Sequence, residues 1–506
     1  MSAQPLAESL VQSVDWLAVA PPVIAAAVGL VVLVADLFLP EARKAVLGWV
    51  SVAGLAVAAL MLLPLLDGDR STFCLTGGGT RACSYTADHF TLVVQFLVLG
   101  GALLAALLSV TNLQDDQRRV PPGEFWFLLL SSAAGAALLP ASRDLATLIV
   151  ALEVASLPAF ALVGIRHGDK RSSEAALKFF LSSVTATAVS LMGVSFVYAS
   201  TGSLYLTQVA QRLPHVGGQL HTLAQAGVVL TLIGFAFKTA AVPFHFWVPD
   251  TYVGAPLAVA AYLSVVGKAV GFSGLILVTV VAFPSYADVW GPALAALAAL
   301  TMTVGNVGAL RQQATRAYSA VRLLAWSSVG QAGYLLVPIA AAGYAKDPQK
   351  AIGSTVAYAL MYGAVNLGAF AVAGVVGRSR ALNRVSDYRG LYATNPLTAL
   401  LLAFFLLCLA GLPPGVIGLF AKVTVFSAAV DAGLGWLAVV MAVNVVIALF
   451  YYLQWTALLF RAPEGEPARH RVPAPLTAAL ALTGVLGVAL SGAPQLVLRF
   501  AATGLF

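Results

Sequence analysis

The chain has 506 residues, of which 60% are apolar and only 10% charged, with a mean hydropathy of +0.90 and a formal net charge of +7. A soluble protein of this length carries roughly 25% charged residues to cover its surface, so the composition is that of an integral membrane protein. Three cysteines are too few for a secreted disulfide scaffold, and the basic residues are dispersed rather than clustered as in a nucleic-acid binder.

Met1 to Trp16 contains Glu8 and Asp15 but no Lys or Arg, so the amino terminus lacks the basic region of a cleavable signal. Apolar runs between charged or Pro/Gly-rich breaks predict spans near 17–39, 45–66, 89–111, 125–140, 145–165, 175–199, 224–248, 257–282, 292–310, 320–342, 351–377, 398–430, 434–460 and 474–495. At about 20 residues per crossing, fourteen spans use roughly 280 residues and leave no room for a large soluble domain. The expected fold is therefore all-α and polytopic. The longer polar stretches, near 67–88, 200–221 and 378–396, carry no phosphate loop, dinucleotide fingerprint or Cys/His cluster. No cofactor or metal site is expected in this chain.

With the amino terminus outside, the inner connections hold Arg43, Lys44, Arg118, Arg119, Arg166, Lys170, Arg171, Arg311, Arg316, Arg322, Arg378, Arg380, Arg384, Arg389, Arg461, Arg469 and Arg471. The outer segments hold Arg70, Arg81, Arg143, Arg212, Lys346, Lys350 and Arg499. An asymmetry of 17 to 7 over short loops places both termini outside. Cys74 and Cys83 then share an outer loop, where either a disulfide or two free thiols are possible; Cys408 reads as buried. Asp36, close to Arg43 and Lys44, reads as a local ion-pair anchor.

The remaining basic residues, Lys178, Lys238, Lys268 and Lys422, fall inside apolar segments, as does Glu153 in ALEVASLP. A charge at a helix centre costs about 2.5–3.5 kcal/mol on insertion scales, so these groups are expected to face the protein interior. For Lys178, four residues after Glu174, a static ion pair is an equal alternative. Two spans are also interrupted, the seventh at Pro243 and the twelfth at Gly411-Leu-Pro413-Pro414-Gly415. Breaks at membrane depth need protein or water to satisfy the freed backbone groups. They fall in the fourth helix of two five-helix blocks, spans 4–8 and 9–13, and paired breaks of this kind mark inverted-repeat transporters. The division expected is 1–120 for three leading helices, 121–285 for the first repeat, 286–460 for the second, inverted repeat, and 461–506 for a loop and the last helix.

His245 lies seven residues after Lys238, on the same face unless the proline break rotates it; a proton relay and a hydrogen-bonded core histidine are both open. Tyr358, Tyr362 and Asn366, spaced by four, form a polar stripe on the eleventh span. It reads either as a water chain towards Lys422 or as an interhelical hydrogen-bond seam.

The segments ALEVASLP, EAALKFF, FKTAAVPFHFWVPDTYVGAP, SVVGKAVGF, LLAWSSVGQAGYLL and the run from Asn395 to Phe426 resemble the antiporter-like membrane subunits of proton-pumping NADH-quinone oxidoreductase, respiratory complex I. The similarity runs from about the fourth span to the thirteenth. It implies fourteen helices in two inverted five-helix repeats with helices 7 and 12 broken. It also implies proton-transfer roles for Glu153 on helix 5, Lys238 on helix 7, Lys268 on helix 8 and Lys422 on helix 12, with His245, Lys178, Tyr358 and Tyr362 as further candidates. A related branch of the family carries glutamate where Lys422 stands. Two departures are Gln331, where many relatives have histidine on helix 10, and an Arg311–Arg322 segment longer than the family's usual connection. The resemblance further implies a bacterial plasma membrane setting and, as partners, the lipid bilayer and other membrane subunits of the complex, neighbouring antiporter-like ones included. NADH, FMN, iron-sulfur clusters and quinone would belong to partner subunits, and nucleic acid is no partner. The competing class is a subunit of the multisubunit cation/proton antiporters, which share these motifs.

The topology has a direct check in intact cells. A membrane-impermeant thiol reagent should label a cysteine placed at Ser71, with any native bridge reduced, and spare one placed at Ser386; the reverse pattern inverts the orientation.

Overall fold

The computed structural model describes residues 14–75, 82–115, 120–463, 472–502 and 505–506. Glu8, Arg81, Arg118, Arg119, Arg469 and Arg471 lie outside the described residues. The first part of the chain forms α1 (Trp16–Asp36), α2 (Ala45–Leu60), strands β1 (Arg70–Cys74) and β2 (Cys83–Ala87), then α3 (His89–Asp115), α4 (Pro122–Leu138), α5 (Leu145–Val163) and α6 (Lys170–Thr201). Next come α7 (Leu206–Arg212), α8 (Gln219–Thr239), α9 (Trp247–Gly254), α10 (Leu257–Tyr262), α11 (Lys268–Ile276), α12 (Ala287–Leu310) and α13 (Ser319–Ala342). The rest forms α14 (Pro348–Ser379), α15 (Leu391–Thr394), α16 (Pro396–Ala410), α17 (Val416–Asp431), α18 (Gly435–Leu459), α19 (Ala474–Gly492) and α20 (Gln495–Leu498).

Among the described residues, 13 helical segments are long and apolar enough to cross a membrane. The remaining predicted span, the twelfth at 398–430, is split into α16 and α17 at the Gly411–Gly415 break, and 224–248 is likewise divided between α8 and α9. The other spans match their predicted places to within a few residues. Where they run longer, as in α6 and α14, the extra turns begin at Asp169 and Asp347, whose carboxylates accept the backbone N–H of Arg171 and Gln349. The predicted 257–282 span is one continuous crossing, but π-helical turns at Leu263–Gly267 and Leu277–Ala282 flank α11 within it.

α13 and α14 are buried along almost their whole length and form the centre of the bundle. The peripheral helices turn apolar side chains outward, such as Leu30 and Val34 of α1 and Val439 and Val446 of α18. An apolar solvent is the surface these helices fit.

Alternate connections gather at the two ends of the bundle. At one end Arg143 N bonds Ser84 O, Leu145 N bonds Leu204 O, and Phe90 N bonds Leu505 O. At the other, Tyr318 N bonds Leu382 O, Ser386 N bonds Ala314 O, and Gly390 N bonds Leu458 O. The segment 67–88, read from sequence as a polar stretch with Cys74 and Cys83 in an outer loop, contains the antiparallel β1–β2 hairpin, with Cys74 opposite Cys83 and joined to it by a disulfide. Tyr85 of β2 donates to Ala18 O at 3.0 Å and so ties the hairpin to α1. Arg143 makes a largely buried ion pair with Asp88, the residue that caps the start of α3. Asp36 pairs with Lys44 at 3.2 Å, the local anchor expected.

Close contact between α11 and α8 fixes the end of α8 on which Lys238 stands. A Cβ on Gly271 would lie 2.5 Å from Thr239 N and 2.7 Å from Lys238 C, backbone atoms that cannot swing aside. Gly271→Ala should therefore push the helices apart and destabilise the detergent-purified protein by about 1–3 kcal/mol. Gly100→Ala, with nothing within 4 Å of its Cβ, is the matched control and should be neutral or slightly stabilising in the same thermal melt.

Candidate functional site

Lys238 stands in the last turn of α8, immediately before the chain breaks through Ala240, which adopts a left-handed conformation at φ 64°. Its side chain is buried, and Nζ donates to Ser183 Oγ at 2.9 Å. The rings of Phe160, Phe179 and Phe237 surround it, with centroids 5.0, 5.3 and 5.7 Å from Nζ. Each such contact favours a cation by about 0.5–2 kcal/mol.

Glu153, on α5, is half-buried and accepts a hydrogen bond from Thr187 Oγ1 at 2.7 Å. No direct ion pair joins Glu153 to Lys238 among the described residues. Ser183 and Thr187 lie four residues apart on α6, one above the other, so two hydroxyls from one helix face stand between the carboxylate and the ammonium.

A cavity opens beside Lys238 towards α10 and α11, lined by Ser132, Ser156, Tyr262 and Gly267 among others. Across it Tyr262 donates to Ser132 Oγ at 2.8 Å, and Ser132 to Ala155 O at 2.6 Å. Lys268, directly after Gly267, is 2% exposed, and its Nζ has no hydrogen-bond partner among the described residues. The π turn preceding it changes which carbonyls are free: Lys268 N–H bonds Val265 O, while Ser264 O accepts from Tyr362 at 3.1 Å. Tyr362 also meets Ser328 at 2.8 Å, and Asn366 donates to Ser264 Oγ at 2.7 Å. The Tyr362–Asn366 part of the stripe is thus an interhelical seam onto the helix that carries Lys268.

Tyr358 turns elsewhere. It donates to Gln331 Oε1, and Gln331 Nε2 donates to Tyr452 Oη at 3.2 Å and Leu409 O at 3.4 Å. Tyr452 shares a hydrogen bond with Ser327 at 2.5 Å. One residue beyond Leu409, Ala410 O accepts from Lys422 Nζ at 2.7 Å, and Lys422 lies 5.4 Å from the ring centroid of Tyr334. Lys422 is on α17, so it reaches back across the break to the end of the preceding half-helix.

For Lys178 and His245 the structure decides between the alternatives left open. Lys178 does not face the interior: its side chain is 45% exposed and forms ion pairs with Glu174 at 2.7 Å and Asp250 at 2.9 Å, Asp250 also meeting Arg322 at 3.4 Å. Its place one turn from Glu174 near the start of α6 lets the ammonium reach the carboxylates at the helix end. His245 does not share a face with Lys238, because the chain leaves helical geometry between α8 and α9. It is half-buried with its ring 5.6 Å from that of Trp326.

Sequence reasoning missed the hydroxyls Ser132, Ser183, Thr187, Tyr262 and Ser264, and missed Tyr452. Ser183 and Thr187 leave no distinct signal, because the same span also carries Ser182, Thr185 and Ser190.

Residues 142–448 match the family model described as NADH:quinone oxidoreductase/Mrp antiporter, transmembrane. The chain is 74% identical to NADH-quinone oxidoreductase subunit N 2 of Streptomyces griseus, over 99% of this chain and 96% of that one. It is 33% identical to F(420)H(2) dehydrogenase subunit N of Methanosarcina mazei, over 94% of each. Among solved structures, a chain of respiratory complex I from Thermus thermophilus with bound aureothin superposes with a TM-score of 0.75 at 32% identity, over 96% of this chain and 100% of that one. A chain of the Mrp complex from Dietzia superposes at 0.80 with 22% identity, over 96% of each, which is a likeness of fold.

Ser183 holds Lys238 by its only hydrogen bond among the described residues. Ser183→Ala should lower thermal stability by about 1–3 kcal/mol, the cost of a buried donor without an acceptor, while Ser183→Thr, which keeps the hydroxyl, should stay near wild type. Equal melting of all three proteins would show that the contact carries no stability.

Proposed function

Since the chain belongs to the NADH:quinone oxidoreductase/Mrp antiporter transmembrane family, we propose that it works as the N-type, proton-translocating membrane subunit of an NADH-quinone oxidoreductase and moves protons along Glu153, Lys238, Lys268 and Lys422. The observation that carries this path is three buried lysines threaded by hydroxyl and amide groups across the bundle, joined at one end to a half-buried carboxylate through Thr187 and Ser183. The enzyme is a translocase as an assembly, and its other membrane subunits are this chain's partners. NADH, FMN, iron-sulfur clusters and quinone are assigned to partner subunits. The setting is the bacterial plasma membrane with both termini outside, on the charge asymmetry of the loops. The division into 121–285 and 286–460 as two inverted repeats is part of the same reading, supported by the matching breaks after α8 and α16.

In this mechanism Glu153 and Lys238 are the switched pair. Burial disfavours an ammonium and a nearby carboxylate favours it, so a change in the carboxylate's influence changes where the proton rests. Lifting a proton against about 150 mV costs ~3.5 kcal/mol, comparable with the energy of one buried charge interaction gained or lost. Lys268 relays, and Lys422 exchanges protons at the far end. Tyr358 and Tyr362 supply hydroxyls along the way; His245 and Lys178 stand beside the path, at the α8–α9 break and at the Asp250 ion-pair cluster.

Cation/proton exchange of the Mrp kind uses the same fold, but the 74% identity over nearly the full length lies with the quinone-reductase subunit. Proton pumping by the reconstituted complex tests the path. Lys238→Arg should assemble yet fail to pump, because a guanidinium keeps its proton throughout the cycle. Glu153→Gln should impair pumping more than Glu153→Asp does. Near-normal proton-to-electron coupling in Lys238→Arg would remove Lys238 from the path and leave it as a structural charge.

A further inference from the structure

The end of α16 exposes four carbonyls that no further turn of helix can satisfy. Gly411 N and Leu412 N both bond Leu407 O at 2.9 Å, and Gly411 N also meets Cys408 O at 3.1 Å. The last two carbonyls have side-chain donors: Gln331 Nε2 on Leu409 O and Lys422 Nζ on Ala410 O. A lysine assigned to proton exchange and an amide that cannot titrate therefore cap adjacent carbonyls of one helix end. Gly411, at φ 85°, allows this close approach, since a Cβ there would lie 3.0 Å from Lys422 Cδ.

The amide's orientation is fixed by its surroundings. A carbonyl only accepts, so Nε2 must face Leu409 O, and Oε1 then faces the Tyr358 hydroxyl that donates to it. Tyr452 receives the second N–H of the amide and is itself held by Ser327.

We propose that Gln331 is a positioning residue for proton transfer at Lys422, a permanent cap on the broken end of α16 that keeps the Ala410 carbonyl in place while Lys422 gives up and regains its proton. The inference rests on the assignment of proton exchange to Lys422. Each time the lysine leaves Ala410 O, one carbonyl of the helix end loses its donor. If Leu409 O had none either, two adjacent buried acceptors would be left together and the end would be free to rearrange, moving the site to which the proton must return. A histidine at this position would itself take up protons beside Lys422; the amide supplies the same donor without competing for them.

The test uses the assembled complex in proteoliposomes, with proton flux normalised to complex content measured by densitometry. Gln331→Met, of matching length but without a donor, should lower the flux per complex by about 10-fold, the equivalent of ~1.4 kcal/mol. Gln331→His, which restores an N–H, should return it to within about 2-fold of wild type at alkaline pH, where the ring is neutral. Wild-type flux in Gln331→Met overturns the proposal, and so does an equal loss in the methionine and histidine variants. Should Gln331→Met fail to assemble, Gln331→Asn serves in its place: it is polar but one methylene short of Leu409 O, it should show the same 10-fold loss, and undiminished flux overturns the proposal. Lys422→Ala separates the two levels. If it leaves pumping intact, the assignment of Lys422 fails; if it abolishes pumping while Gln331→Met does not impair it, only the positioning role fails.

Discussion

Broken helices inside a bilayer create polar groups that the bilayer cannot satisfy, and the site is organised around meeting that demand. An unsatisfied backbone group in hydrocarbon costs several kcal/mol, so a break persists only where backbone or side-chain donors reach the freed carbonyls. Here both breaks present helix carboxyl ends, those of α8 and α16, and a lysine is found at each. Lys238 occupies the last turn of α8, and Lys422 donates to the final carbonyl of α16. The negative end of a helix dipole favours a cation within the last turn by a few tenths of a kcal/mol to about 2 kcal/mol when partly buried. At α16 the ammonium group and the broken end thus offset one another's cost, whereas the ammonium of Lys238 is held by Ser183.

That pairing explains how much could be read from the chain. Apolar runs locate the crossings because hydropathy alone decides what enters a bilayer, and Pro243 and the Gly411–Gly415 run locate the breaks because backbone chemistry forbids a helix there. Buried lysines stand out against so few charges. What the sequence does not carry is which half of a broken helix a lysine reaches for. Lys238 precedes its break and Lys422 follows its own, and only the fold shows that Lys422 reaches back to a carboxyl end while Lys238 turns to Ser183. Lys178 is only half legible for a related reason: Glu174, one turn earlier, points to an ion pair, but its second partner, Asp250, lies more than seventy residues away. The hydroxyls were illegible because Ser and Thr are common in membrane helices, where many simply bond a carbonyl one turn back, as Thr231 and Ser273 do.

The two halves of the proposed path are built differently. From Glu153 to Lys238 the intermediates are hydroxyls, which can donate or accept by rotating about one bond. Around Lys422 the intermediates are an amide and two tyrosines whose orientations are fixed by carbonyls and by one another. A rotatable segment suits changes in charge distribution, and a fixed one suits holding a geometry. Gln331 in place of a titratable residue fits the second role, since its donors do not depend on the proton occupancy of its neighbours.

The interposed hydroxyls also bear on how strongly Glu153 and Lys238 can be coupled. Direct contact would give a buried ion pair that costs about 3–5 kcal/mol to break, a range that brackets the ~3.5 kcal/mol needed to lift a proton against about 150 mV. Coulomb energy falls as the inverse of distance, so doubling the separation halves it. α6 sets the separation rigidly, because Ser183 and Thr187 are fixed one turn apart on a helix held between α5 and α8. A pair held apart in this way still feels each other's charge, yet neither partner is locked. On the proposed path this keeps the interaction below that of a contact ion pair and within the range that one proton crossing can reverse.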